Sequence, residues 1–158
     1  MYPASFRYHR PSGLHDALEL LSRHRADAAV LAGGQSLVPR MNLRQATPKN
    51  IVDLNRIAEL SKLAVADDVL EIGAMVRHQS FCHEGAIGVL SLPSNLAELL
   101  GRMAGAIGNL PVRLRGTIGG SLANASPKAQ WALLSFLLDA DIMIENAGGR
   151  AASAIRNS

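Results

Sequence analysis

The chain has 158 residues, a length that suits one domain or two small lobes. Hydrophobic residues make up 48% and charged residues 18%, which excludes a disordered chain, while aromatics at 4% leave the core to Leu, Ile, Val, Ala and Met. The formal charge of +3 comes from scattered Lys and Arg with no basic run, so it reads as solubility, and no nucleic-acid partner is expected.

Residues Tyr2 to Pro11 read as extended. Ser12 is placed to cap a helix whose apolar positions Leu14, Ala17, Leu18 and Leu21 recur at helical spacing. Ala28 to Ala32 reads as a buried strand that runs into the glycine pair Gly33-Gly34, followed by a helical turn over Val38 to Leu43. Asn50 to Leu54 is a further strand, so the chain up to residue 55 resembles a small β-α-β unit. Lys62 to Ala66 and Val69 to Ala74 read as strands joined by a turn at Asp67-Asp68. His78 to Gly88 reads as helical, and Asn95 to Ile107 is the clearest helix, with a stripe of Leu96, Leu99, Leu100, Met103 and Ile107. Asn95 and Glu98 have the spacing of a capping box there, and Gly108-Asn109 stops the helix. Pro111 to Arg115 alternates Val112 and Leu114 with Arg113 and Arg115, the pattern of an extended segment, and Gly116 to Ser121 reads as a second glycine-rich loop. Ser126-Pro127 opens a helix carrying Trp131, Leu134 and Leu138, and Asp141 to Glu145 is a strand that ends in the turn Ala147-Gly148-Gly149. Residues 151–158 are small and polar, and an unstructured tail is expected. The second half is expected to be a mixed sheet with helices, and the whole an α+β fold of two lobes, 1–55 and 56–150.

Two glycine motifs carry the chemistry. Gly33-Gly34-Gln35-Ser36 follows a strand; glycine lets the backbone approach a ligand closely and turn with positive φ, and successive N–H groups in such a turn form an anion-binding nest. Gly116-Thr117-Ile118-Gly119-Gly120-Ser121 pairs glycines with two hydroxyls and the apolar anchor Ile118, and one of its residues is expected at positive φ. Taken singly, each motif is equally a plain tight turn. Neither matches the dinucleotide fingerprint G-x-G-x-x-G or carries the Lys of a P-loop, so a nucleotide site would require both motifs to meet from separate lobes.

Leu31-Ala32-Gly33-Gly34-Gln35-Ser36-Leu37-Val38-Pro39 and Arg115-Gly116-Thr117-Ile118-Gly119-Gly120-Ser121-Leu122-Ala123 together resemble the paired signatures of the FAD-binding medium subunit of molybdenum hydroxylases, of the xanthine dehydrogenase and carbon monoxide dehydrogenase type. Phe6-Arg7-Tyr8-His9-Arg10-Pro11, Ile51-Val52-Asp53-Leu54-Asn55 and Leu70-Glu71-Ile72-Gly73-Ala74 are similar to the same family. The resemblance implies a two-lobed FAD-binding fold (PCMH-like) in which backbone N–H groups of both motifs wrap the pyrophosphate. The implied cofactor contacts are Leu31, Ala32, Gly33, Gly34, Gln35, Ser36 and Leu37, with Thr117, Ile118, Gly119, Gly120 and Ser121. It further implies an oxidoreductase subunit, inactive alone, that takes electrons from iron–sulfur clusters on a small subunit. The large partner subunit binds molybdopterin and oxidises the substrate, and the acceptor is NAD, a quinone or another oxidant. Two alternatives stand beside it: a shortened relative that keeps the fold as a binding or structural module without flavin, and a different FAD enzyme of the same fold.

The chain departs from the family at Gln130, where an acidic residue is usual, and at Ser126, Pro111, Leu114 and Val76. Family members also continue well past Gly149, so the second lobe is expected to be incomplete. The single cysteine, Cys82, forms no internal disulfide and reads as a small buried residue. His78 and His83 are spaced too loosely for a metal site, and Trp131 reads as core. Arg113 and Arg115 either lend positive potential to the phosphates or form solvated surface. With no long apolar stretch and no signal-peptide pattern at the start, no membrane span and a cytoplasmic location are expected.

Overall fold

The computed structural model describes residues 2–82, 90, 92–126 and 129–154. The first half is a three-stranded parallel sheet in the order β1-β3-β2, built from β1 (Arg7–His9), β2 (Ala28–Leu31) and β3 (Asn50–Asp53). The central strand β3 is buried at all four positions, as a strand covered on both faces should be. Tyr8 and Ala29 both register on Ile51, and Leu31 registers on Asp53. Helix α1 (Leu14–His24) packs over the sheet, and its Ala17 joins Val52 and Ile57 in one apolar cluster. Ser12 does not cap α1. The side chain of Glu59 does this from a distance, accepting the Leu14 N–H at 3.0 Å, while Gly13 holds the cap position. A short helix, α2 (Leu37–Asn42), follows the first glycine motif.

The second half contains two antiparallel hairpins and four helices, with no mixed sheet among the described residues. Strands β4 (Leu63–Ala66) and β5 (Val69–Ile72) meet through Asp67 and Asp68, both in the left-handed region at φ 49° and 62°, as a tight hairpin turn requires. Residues 78–81 form a single 3₁₀ turn where a helix was expected to begin, and residues 83–89 lie outside the described residues. Helix α3 spans Ser94–Gly105 with no side-chain cap: Asn95 lies inside it, and Glu98 pairs with Arg102 one turn on at 3.6 Å instead of closing a capping box. Its Leu100 and Ala104 join Val76, Phe81, Ile118, Trp131 and Leu134 in the larger of two cores.

Residues 110–115 are helical, not extended: α4 (Leu110–Arg115) starts at Asn109, whose Oδ1 accepts the Val112 N–H at 3.2 Å. A capping Asn followed by a proline in the first turn outweighs a brief alternation of apolar and charged residues. The second glycine motif is likewise the start of a helix, α5 (Ile118–Asn124). Helix α6 (Gln130–Leu137) follows; the expected start at Pro127 lies outside the described residues. The strand β6 (Asp141–Asn146) pairs with β7 (Gly149–Ala154). This corrects the expectation of an unstructured tail from residue 151, since residues 151–154 pair through their backbone. No helix among the described residues is long and apolar enough to cross a membrane.

Candidate functional site

The two glycine motifs meet. Gly33, just past β2, lies directly against the backbone of Arg115 and Gly116: a Cβ on Gly33 would overlap the Arg115 carbonyl and come within 2.8 Å of the Gly116 Cα. Gly120 faces the same junction, with the Ala32 Cβ 3.6 Å from where its own Cβ would be. Glycine is needed here because two main chains pass in direct contact. Beside this contact opens a cleft of about 290 Å³, lined by Gly33, Gly34, Gln35, Val38, Pro39 and Arg115.

The motifs differ in what their backbones offer. Gly34 turns the chain at φ +71°, and among the described residues no backbone carbonyl takes the N–H groups of Gly34, Gln35, Ser36 or Leu37. Ser36 and Gln35 are exposed. In the second motif the donors are already engaged. The Ile118 and Gly119 N–H groups donate to Val76 and Ala74 carbonyls at 3.1 and 2.9 Å, Gly120 to Thr117 Oγ1 at 3.0 Å, and Ser121 to the Thr117 carbonyl at 3.0 Å. Nor do Gly119 and Gly120 take positive φ. They are the first turn of α5, and Gly119 is required because a Cβ there would lie 2.6 Å from the Ala74 side chain. The expectation of a left-handed residue in this motif is therefore corrected: its glycines serve close packing.

The two arginines also part company. In an extended segment Arg113 and Arg115 would share a face, but in α4 they point about 200° apart. Arg113 turns to the end of α3, donating to the Gly105, Ile107 and Gly108 carbonyls at 3.3, 3.3 and 3.2 Å. Arg115 lines the cleft and is the one charged residue that does.

Below the junction, His78 is 5% exposed and its N–H donates to the Gly116 carbonyl at 3.1 Å. Its Nδ1 accepts the Trp131 indole N–H at 2.9 Å, which assigns the remaining ring proton to Nε2. Burial, with the Arg77 guanidinium adding to it, pushes the His78 pKa down to about 4. Trp131 is core as expected, with the His78 ring stacked near it and Phe81 tilted against it at 58°.

At the end of β3, burial pushes the Asp53 carboxyl up, but hydrogen bonds from Tyr8, the Asn55 backbone and the Asn55 side chain, helped by Arg10, outweigh it and hold the group below its ordinary range. Asn55 also donates to the Ala32 carbonyl at 3.0 Å, and Arg77 donates to both Asn55 Oδ1 and the Arg115 carbonyl. Sequence reasoning assigned no role to Tyr8, Asp53, Asn55, Arg77 or His78. An Asp closing an apolar strand with Asn two residues on was a visible signal for a local side-chain turn. The partners Ala32, Arg77 and Trp131 are too distant in sequence to be paired by any local pattern.

A phosphate-bearing cofactor fits this arrangement: a glycine-lined cleft with the backbone donors of Gly34 and Gln35 in its lining, those of Ser36 and Leu37 following directly in the chain, and one cationic residue, Arg115. Comparison with known proteins agrees. A family described as the FAD binding domain in molybdopterin dehydrogenase matches residues 4–157. The chain is 37% identical to the carbon monoxide dehydrogenase medium chain of Hydrogenophaga pseudoflava across 95% of its own length and 50% of that protein's. It is 34% identical to caffeine dehydrogenase subunit beta of Pseudomonas sp. (strain CBB1), over 92% of this chain and 48% of that one. Among solved structures, a carbon monoxide dehydrogenase from H. pseudoflava that lacks the Mo-pyranopterin moiety superposes with a TM-score of 0.87 at 36% identity, covering 98% of this chain and 52% of that one. Quinoline 2-oxidoreductase from Pseudomonas putida 86 gives 0.88 at 30% identity, with the same coverage. The chain thus spans about half the length of the relatives it matches. Its fold, the order of its two glycine motifs and the family match agree: it belongs to the FAD-binding domains of the molybdopterin dehydrogenases, whose cofactor is FAD.

Proposed function

We propose that this chain is the FAD-holding, electron-transferring part of a molybdenum hydroxylase, working with an iron–sulfur small subunit and a molybdopterin-binding large subunit. It would take electrons from the clusters of the former and pass them to NAD, a quinone or another acceptor. Bound FAD supplies the redox chemistry, since a flavin exchanges electrons singly or in pairs. The observation that carries the reading is the contact of the two glycine motifs at one cleft, contributed by the two halves of the chain that we read as lobes 1–55 and 56–150.

Within that cleft, residues Leu31 to Leu37 supply backbone donors to the pyrophosphate, chiefly from Gly34 onward. Thr117 to Ser121 do not line the cleft itself; they back it where Gly120 stands against Ala32, fixed by their own hydrogen bonds, and the half-buried Ser121 hydroxyl is their polar contribution in this reading. Arg115 sets the positive potential. Its side chain is exposed and its structural contacts run through its backbone, so Arg115→Gln separates binding from folding. Losing one charge-assisted phosphate bond, about 1.5–3 kcal/mol, weakens FAD roughly tenfold or more while leaving thermal unfolding unchanged. Calorimetric titration with FAD and with FMN gives the broader test. FAD is expected to bind much more tightly, because FMN has no pyrophosphate; equal affinity would remove the basis for the two-motif site.

A further inference from the structure

Two side chains tie the glycine motifs together without any ligand. Asn55, two residues past β3, is held by Asp53, which accepts both its backbone N–H (2.8 Å) and one side-chain N–H. The second side-chain N–H goes to the Ala32 carbonyl, the residue before the first glycine pair, at 3.0 Å. That leaves Oδ1 facing the Arg77 guanidinium, whose other arm reaches the Arg115 carbonyl, the residue before Gly116. The amide orientation is determined on every side, because turning it over would set oxygen against two acceptors and NH₂ against a cation. Arg77 is fixed in turn by the bridge that places residue 77 beside Thr117 and flanks it with the His78–Gly116 and Ile118–Val76 bonds. A continuous path of hydrogen bonds therefore runs from Asp53 through Asn55 and Arg77 to Arg115, with a branch to Ala32. It spans the junction where Gly33 meets Gly116.

We propose that Asn55 and Arg77 are positioning residues: a clamp that sets the separation of the two glycine motifs, and with it the width of the cleft that receives the FAD pyrophosphate. The proposal rests on the FAD reading above. Arg77 acts by its forked geometry, since its two arms satisfy two neutral carbonyl oxygens at once. An ammonium cannot reproduce that fork.

The test uses the whole chain with Asn55→Ala, Arg77→Ala, the double variant, Arg77→Lys and the milder Asn55→Ser, whose hydroxyl is too short to span three partners. FAD affinity and backbone amide exchange of the flavin-free protein are measured for each. The clamp requires each Ala variant to weaken FAD about tenfold or more, the double variant to be little worse than the weaker single one, and Arg77→Lys to fail to rescue. It also requires faster amide exchange in residues 118–121, whose N–H groups are hydrogen-bonded in the parent, of the flavin-free Asn55 variants. Effects that multiply independently, rescue by Lys, or unaltered exchange would overturn it; rescue by Lys would assign Arg77 to the phosphates as a charge. Should the parent chain bind no FAD, the functional reading fails, while the exchange measurement still decides whether the clamp exists.

Discussion

Among the titratable groups of the described residues, His78 is held far from its ordinary pKa by burial, and the consequence can be worked out with its sign. In the unfolded chain its imidazole takes up a proton near pH 6.5, whereas in the fold it resists until about pH 4. Between those values the unfolded state holds the extra proton, so stability is complete above pH 6.5 and is lost as pH falls toward 4. The loss is on the order of 2 kcal/mol, because protonation must end the acceptance of the Trp131 N–H in a buried place. His78→Asn keeps an acceptor near the same point and removes the titration. Chemical unfolding at pH 7 and pH 5 should therefore show a stability difference in the parent that is largely absent in His78→Asn; an equal difference in both proteins would assign it to other groups. Asp53 acts in a separate window. Its carboxyl is held below the ordinary 3.8, so its stabilising effect is present above that value and disappears only as pH falls through the lowered one.

At the scale of elements, α3 contains its own internal comparison. Gly101 lies mid-helix with the Phe81 carbonyl 3.1 Å from the position of a Cβ, while one turn on Gly105 has nothing within 4 Å. Alanine at 105 gains helix propensity and should stabilise by roughly 0.5 kcal/mol; alanine at 101 gains the same propensity but must push the 78–81 turn away. Thermal unfolding of the two variants should move in opposite directions, and a common shift would mean that α3 is not seated on that turn. This helix was legible in sequence because its apolar stripe repeats over three turns. So were β2, β3 and the Asp67-Asp68 hairpin, where apolar runs end at residues suited to turns. What misled was short range. Four residues of alternation at 112–115 looked extended, yet Asn109 and Pro111 decide the conformation. Gly119-Gly120 looked like part of a glycine-rich loop, yet Thr117 caps a helix through them. The first glycine motif could be read because a strand ending in two glycines constrains its own backbone. The clamp and the His78–Trp131 pair could not, because their partners are separated by up to 53 residues and meet only after folding.

For the whole molecule, the question is how two apolar cores become one structure. One core gathers Ala17, Val52 and Ile57, the other Val76, Phe81, Leu100, Trp131 and their neighbours, and the glycine junction lies where the two halves touch. Gly33→Ala places a methyl group onto the Arg115 carbonyl, with the Gly116 Cα at 2.8 Å and the Arg115 carbonyl carbon at 2.9 Å. All three obstacles are backbone, held by the His78–Gly116 bond and by Arg77, so relief must come from separating the halves and not from a side-chain rotation. Overpacking of this kind costs about 1–3 kcal/mol, which for a chain of this size lowers Tm by roughly 2–10 °C. Two further effects follow from its location. The unfolding transition should broaden or split as the halves lose their coupling, and FAD should bind far more weakly because the cleft is formed by both. Gly105→Ala, remote from the junction and open to solvent, is the control that should keep one sharp transition and parental FAD affinity. A Gly33→Ala protein that unfolds in one sharp step and binds FAD like the parent would show that the halves are joined elsewhere and that the contact of the glycine motifs does not make the site. A lowered Tm with intact FAD affinity would assign the junction to folding alone and return the pyrophosphate to the donors of Gly34 to Leu37.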